Sequence, residues 1–318
     1  MTEANRHTMR AITQDVLGGP EVLREAELER PTPGVGQVLV RVHAAGLNPT
    51  DTKHRQTGLF LGAPPFVLGW DVSGVVEATG LGVTLHRPGD EVFGMLPYPH
   101  GVGSHAEYVT GPARAFVRKP STVSHVEAGA IPLVALTAWQ ALVDTAAIRP
   151  GQRVLIPAAA GGVGHIAVQI AKSRGAYVIG TASAAKHDFL RGLGADELID
   201  YRTTDYTEAV RDVDVVLDPL GGPDAVRSLR TLRRGGLLVT ILPAGLPEVL
   251  AEADRLGVRA TAMIVEADQA GMAAIARLVE DGSVRVTVAD TFPLAEAAKA
   301  HASLETGRTT GKLVLTVR

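Results

Sequence analysis

Hydrophobic and polar positions change rhythm part-way along the chain. Over residues 37–44 polar and apolar side chains alternate, the pattern of a half-buried strand. Residues 72–78 and 90–94 are further short strand candidates, and Pro33-Gly34, Asn48-Pro49, Pro64-Pro65 and Pro88-Gly89 mark turns. From about residue 150, short apolar runs alternate instead with helical spacing. Residues 154–156 read as a strand. Val163, Ile166, Ala167, Ile170 and Ala171 then recur at the spacing of one buried helix face. A strand at 177–181, a helix at 186–193, and strands at 198–200, 213–217, 237–241 and 258–265 continue the series. Strands separated by helices predict an α/β fold with a parallel sheet covered on both faces. A helix over 268–280 and a strand over 312–317 end the chain, and no repeat of solenoid period is visible.

The length of 318 residues suggests two domains at ~150 residues each. A hydrophobic content of 46% with 20% charged residues is that of a globular chain and not of a disordered one. The net charge of −3 gives no electrostatic case for nucleic acid or an anionic membrane as partner. Cysteine is absent, which excludes disulfides, thiolate nucleophiles, Cys-ligated zinc and iron–sulfur clusters. Two uncharged stretches approach membrane length. Residues 128–143 fall short of the ~20 apolar residues a span needs. Residues 154–171 are interrupted by Pro157, Gly161, Gly162, Gly164, His165 and Gln169. Both read as buried structure. The first eight residues are polar and lack the apolar core of a signal peptide, so a cytoplasmic location is expected.

The strongest chemical signal is Ala159-Ala160-Gly161-Gly162-Val163-Gly164, set between an expected strand and an expected helix. In that context glycines let the backbone approach a pyrophosphate, and the helix N-terminus offers unpaired N–H groups and partial positive charge. The motif departs from G-x-G-x-x-G at Ala159, and a Gly-rich turn also serves as a plain tight connection. Nineteen residues past Gly164 stands Ser183, where an NAD-preferring site would place a carboxylate on the ribose. Ser183 can hydrogen-bond a 2′-phosphate and Lys186 can neutralise it, with Tyr201 and Arg202 closing the pocket; this favours NADPH. The alternative makes Lys186 and Arg202 ordinary solvated charges.

Several spaced motifs then identify a family. They are Gly46-Leu47-Asn48-Pro49-Thr50-Asp51, Gly69-Trp70-Asp71-Val72-Ser73-Gly74, Pro88-Gly89-Asp90-Glu91-Val92-Phe93-Gly94 and Ala106-Glu107-Tyr108-Val109. Leu136-Thr137-Ala138-Trp139, the 159–164 turn, Leu193-Gly194-Ala195-Asp196, Ile199-Asp200-Tyr201 and Thr310-Gly311-Lys312-Leu313 follow in order. The chain resembles the medium-chain dehydrogenase/reductase superfamily in its zinc-free quinone oxidoreductase branch. Asn48-Pro49-Thr50-Asp51-Thr52-Lys53 and Arg55-Gln56 make it most similar to alkenal/enone reductases. The resemblance implies a GroES-like β-rich catalytic domain (1–123 and 266–318) and a Rossmann domain (124–265), with NADPH in the cleft between them and a homodimer as the assembly. It implies cofactor contacts from Asn48, Thr137, Ala160, Gly161, Gly162, Val163, Gly164, Ser183, Lys186, Tyr201, Asp218, Gly221, Leu242 and Lys312. Asn48 stands where zinc-dependent relatives carry a catalytic cysteine ligand and Trp70 where they carry a histidine, and the four-cysteine structural zinc lobe is missing too, so both metal sites are expected to be absent.

Loss of zinc constrains the substrate. Hydride transfer to an ordinary ketone builds charge on oxygen that needs a Lewis acid or a positioned proton donor. A quinone or α,β-unsaturated carbonyl delocalises that charge, so such small molecules are the expected substrates. Asn48 is the best polar candidate beside the nicotinamide, its alternative being a turn residue before Pro49. Asp51 and Lys53 either organise the same wall or form a structural ion pair. Related enoyl reductases carry a tyrosine proton donor where Phe60 stands here. Among the ten histidines, His100 and His105 share a Gly-containing loop and read as solvated or structural. An enoyl reductase for acyl-thioester or polyketide intermediates, and a non-catalytic NADPH-binding sensor, remain as alternatives.

Overall fold

The computed structural model describes residues 7–318, so most of the polar N-terminal stretch lies outside the described residues. The chain divides into two compact units. One comprises the residues up to Leu133 with Glu266–Asp281 and Val286–Arg318; the other comprises Val134–Val265 with Gly282–Arg285.

In the first unit, β1 (Thr8–Gln14), β2 (Arg24–Glu29), β3 (Gln37–Gly46), α1 (Pro49–Thr57), β4 (Phe66–Val67), β5 (Asp71–Thr79), β6 (Glu91–Met95), β7 (Tyr108–Pro112), β8 (Phe116–Arg118), α2 (His125–Ala130) and the start of α3 (Pro132–Trp139) follow one another. The expected strands at 37–44, 72–78 and 90–94 are β3, β5 and β6. Asn48-Pro49 is not a turn between strands. Proline lacks the N–H that a helix's first residue leaves unused, so Pro49 begins α1 and Asn48 is its N-cap.

The second unit continues with a π-helical turn (Gln140–Thr145), β9 (Arg153–Ile156), α4 (Gly162–Ser173), β10 (Tyr177–Ala182), α5 (His187–Gly192), β11 (Glu197–Asp200), α6 (Tyr206–Ala209), β12 (Val213–Asp218), α7 (Gly222–Ser228), β13 (Leu232–Thr240), α8 (Leu246–Leu256) and β14 (Arg259–Ala262). The chain then returns to the first unit with α9 (Gln269–Glu280), β15 (Val288–Pro293), α10 (Ala297–Glu305) and β16 (Lys312–Thr316). Both near-membrane-length stretches are interrupted structure, and no helix among the described residues is long and apolar enough to cross a membrane.

The second unit's sheet is wholly parallel, in the order β11-β10-β9-β12-β13-β14. The chain runs outward from β9 to β11, then crosses to β12 and runs the other way. Such a reversal opens a crevice beyond the strand C-termini, the doubly wound Rossmann arrangement. Leu155, Ile179, Val216 and Leu238 from four adjacent strands meet in its core.

In the first unit a three-stranded sheet, β2-β1-β4, accompanies a larger one of order β15-β16-β3-β5-β6-β8, in which β7 also pairs with β3. The last strand, β16, lies antiparallel to β3 with Val314 opposite Gly46. That register carries Lys312 to the end of β3, beside Leu47 and Asn48.

The division departs from the boundary expected at residue 123. α2 belongs to the first unit because its backbone lies against β3: a side chain at Gly46 would stand 2.6 Å from the Gly129 carbonyl. Residues 282–285 belong to the second unit, where the Gln169 amide bonds the Arg285 backbone N–H and C=O at 2.8 Å each.

Candidate active site

The first unit brings Asn48, Asp51 and Lys312 together, and adds Asp71, which sequence reasoning missed. The Asn48 amide nitrogen donates to Asp71 Oδ2 (2.9 Å), while its oxygen accepts from Lys312 Nζ (2.6 Å). Lys312 also donates to the Leu47 carbonyl (2.5 Å) and lies 3.5 Å from Asp71 Oδ2. Asp71 Oδ1 accepts from the Leu133 N–H (2.6 Å). Asp51 Oδ2 accepts from the Asn48 N–H (2.6 Å), half of a capping box at the start of α1. All four side chains are buried. Gly46 makes this possible, since a Cβ there would sit 2.7 Å from Asp71 Oδ2.

Two carboxyls and one ammonium are thus enclosed together. Burial raises the Asp71 carboxyl, and Lys312 opposes that rise. Burial also pushes Asp51 up to about 7, against the pull of the Asn48 N–H and Lys312. Its second oxygen, Oδ1, is buried without a partner, as suits a carboxyl that gives up its charge.

This geometry corrects three expectations. Asn48 is not a free amide lining a wall, because Asp71 and Lys312 hold both ends of its side chain. Lys312, expected to contact the cofactor at the 2′-phosphate or the nicotinamide side, instead has its ammonium enclosed on Asn48, Leu47 and Asp71. Lys53 is exposed and forms no ion pair with Asp51; two residues apart on a helix, they point to different faces.

Beside this cluster stands an aromatic wall. The Trp70 and Tyr98 rings lie 5.1 Å apart, His54 packs on Trp70 (4.9 Å), and Tyr98 meets Phe60 edge-on (6.2 Å). Trp70 Nε1 donates to the Pro99 carbonyl (3.2 Å). The Tyr98 hydroxyl is 2.9 Å from Thr50 Oγ1. Of the loop histidines, His100 is exposed. His105 is fully buried with neither ring nitrogen partnered, and burial lowers it to about 3. Among the described residues no group of three or more His, Cys, Asp or Glu is placed to hold a metal.

In the second unit the expected nucleotide residues gather at strand C-termini. Gly161 is the N-cap of α4, and Gly161, Gly162 and Val163 are half-buried at the turn. Ala160 is buried just before them. Gly164 packs the helix onto the turn: a Cβ there would meet the Ala158 and Ala159 carbonyls at 2.6 Å. Ala158 sits in the left-handed region (φ 49°), an uncommon conformation for alanine that bends the chain sharply after β9. β10 supports the bend, its Thr181 carbonyl accepting from the Ala159 N–H (3.0 Å).

Ser183 and Tyr201 directly follow the paired residues Ala182 and Asp200 at the ends of β10 and β11. Ser183 is buried, Lys186 half-buried and Tyr201 exposed. A carboxylate is closer than counting along the chain suggests, because Asp200 comes from the neighbouring strand. It is engaged in its own turn, accepting from the Arg202 N–H (3.0 Å). Asp218 and Thr240 end β12 and β13 opposite each other. Asp218 is buried and turned inward, accepting from the Gly221 (3.0 Å) and Leu220 (3.2 Å) N–H groups, so it shapes the turn after β12. Gly221 (φ 69°) packs against Leu242, where a Cβ would lie 3.0 Å from the leucine Cβ. Thr137 is buried in α3.

Comparison with known proteins completes the picture. Residues 34–121 match the alcohol dehydrogenase GroES-like domain and residues 193–315 the zinc-binding dehydrogenase domain. A 2-haloacrylate reductase from a Burkholderia species is 36% identical, the match covering 94% of this chain and 96% of that protein. The chain belongs to the medium-chain dehydrogenase/reductase superfamily. Its units are accordingly a GroES-like domain and a Rossmann-type nucleotide-binding domain, and the protein is an oxidoreductase. The structure of a quinone oxidoreductase from Coxiella burnetii is similar with a TM-score of 0.93 and 36% identity, over 98% of this chain and 100% of that one. The Escherichia coli quinone oxidoreductase complexed with NADPH has a TM-score of 0.86 and 30% identity, over 97% and 100% of the two chains. The pikromycin polyketide synthase component PikAII of Streptomyces venezuelae is 36% identical over 92% of this chain, which spans 8% of that protein.

Proposed function

We propose that the protein is an NADPH-dependent reductase of quinones and α,β-unsaturated carbonyl compounds that works without a metal ion. The observation that carries this reading is the state of the two positions where zinc-dependent relatives hold their ligands. Asn48 is tied to an ammonium and a carboxylate, and Trp70 offers an indole N–H already given to a carbonyl; neither presents a lone pair to a cation. A substrate whose conjugation spreads the incoming charge suits such a wall. The 2-haloacrylate and quinone reductase relatives support the same acceptor chemistry.

NADPH supplies the hydride when bound. The α4 N-terminus and the 161–164 turn would hold its pyrophosphate, and Ser183, Lys186 and Tyr201 the adenosine 2′-phosphate. Stopped-flow mixing with NADPH or NADH against 1,4-benzoquinone and 2-cyclohexen-1-one tests the reading. Expected are faster turnover with NADPH and full activity after exhaustive chelation. In Lys186→Ala, NADPH binding should weaken about tenfold while NADH binding is unchanged, the size expected for a lost charge-assisted contact. Equal use of both cofactors, or activity restored only by a divalent ion, would refute it. The PikAII likeness favours a second reading, reduction of an enoyl thioester, which a rate with crotonyl thioester far above that with free enones would establish.

A further inference from the structure

With Asn48 and Lys312 consumed by one another and Lys53 facing away, the reaction proposed above lacks a donor for the oxygen on which charge develops. The aromatic wall supplies one. His54 Nδ1 lies 2.8 Å from the Thr50 carbonyl, an atom that can only accept, so this nitrogen carries the ring hydrogen. The Thr50 hydroxyl therefore has no acceptor in His54, although the two side chains are 3.2 Å apart. Its oxygen stands 2.9 Å from the Tyr98 oxygen, where either hydroxyl can donate; a carbonyl ligand at the phenol selects the arrangement in which Thr50 donates to Tyr98. In that arrangement the phenol's own hydrogen is free for the ligand. The other polar hydrogens of this wall are committed: the Trp70 N–H to Pro99, the Asn48 amide to Asp71, the His54 N–H to Thr50. Tyr98 is half-buried, so its edge is open to a ligand while Trp70, His54 and Phe60 fix its ring.

We propose that Tyr98 is a catalytic residue that donates its phenolic hydrogen to the carbonyl oxygen of the quinone or enone, with Thr50 orienting it. Hydride adds to the electron-poor carbon of the substrate. The Tyr98 O–H bond breaks as an O–H bond forms on the enolate or quinol oxygen, and the phenolate regains its proton from water. Burial raises the phenol above its ordinary value, so it stands protonated and ready to donate at neutral pH. The aromatic stack brings Tyr98 against Phe60, so its hydroxyl belongs to the same wall as that unsubstituted ring.

The inference rests on the proposed reductase reading, and Tyr98→Phe separates the two. In that variant, kcat with 2-cyclohexen-1-one should fall about a hundredfold, the lower end of the range for a lost general acid, with the KM for NADPH unchanged. Thr50→Val should give a smaller loss through misorientation. A readout independent of turnover is the binding of cyclohexanone, an unreduced carbonyl, followed by tryptophan fluorescence. Tyr98→Phe should weaken it severalfold while the thermal unfolding midpoint stays put. Parent activity with Tyr98→Phe unchanged in kcat and in cyclohexanone binding would overturn the role of Tyr98 alone. A parent protein that reduces neither substrate class would overturn both.

Discussion

At the residue scale the buried group of Asn48, Asp51, Asp71 and Lys312 sets the energetics of the first unit. Removing charged groups from water costs several kcal/mol each, and mutual attraction repays this only while every partner is present. Lys312 is the single cation among them. Lys312→Met keeps the length of the side chain and deletes the ammonium, leaving Asp71 uncompensated and the Asn48 oxygen unbonded. A loss of about 3–5 kcal/mol is expected, read by urea denaturation. The double variant Lys312→Met/Asp71→Asn should recover part of it, because no unpaired charge then remains. This group was half legible. Asn48, Asp51 and Lys312 stood out in their motifs, but residues 264 positions apart are joined only by the pairing of β16 with β3. Asp71 was hidden beside Trp70, whose departure from the zinc-ligand pattern drew the attention.

At the element scale the contrast is between α4 and α1. An apolar face at helical spacing made α4 visible, and the Gly-rich turn fixed its start. α1 has no such face: the side chains it buries are Asp51, Thr52, His54 and Arg55, the first three bonded to backbone within the helix and its cap and Arg55 to distant segments. Arg55 reaches Glu305 on α10 (2.5 Å) and the Gly18 carbonyl (3.0 Å). A reading based on hydrophobic period is blind to a helix held by its polar side. The prediction at this scale concerns the turn before α4. In Gly164→Ala a methyl would collide with two backbone carbonyls, which cannot swing aside as a side chain can. A destabilisation of about 1–3 kcal/mol is expected, together with weaker NADPH binding as the helix start shifts, measured by denaturation and calorimetric titration. Binding and stability both at parental level would count against the close fit.

At the scale of the whole molecule, buried histidines couple folding to acidity. Burial holds His105 at about 3 and His301 at about 2, far below the ordinary imidazole value of 6.5. As pH falls below 6.5, an unfolded chain takes up protons at these rings that the folded chain refuses. Their contribution to stability is therefore complete above 6.5 and declines as the pH falls towards 3. His105→Gln removes one such site. Between pH 7 and 4.5 this variant should lose less stability than the parent, as followed by urea midpoints across that range; parallel losses would rule out His105 as a source. The doubly wound sheet and its phosphate turn were readable because each is written in consecutive residues. The assembly of the first unit from both ends of the chain was not, since only strand register reveals it.

That assembly has a consequence for synthesis. β3 emerges from the ribosome early, yet one of its neighbours, β16, follows it by more than two hundred residues. Although β7 covers residues 37–41, the Ala44–Gly46 end of that edge of β3 stays open, a template for stray pairing, until β16 is added. The Rossmann domain, almost continuous in the chain, has its strands in hand well before then. Nascent chains should therefore acquire a protease-resistant nucleotide-binding half first, with the GroES-like half closing only after β16 has emerged.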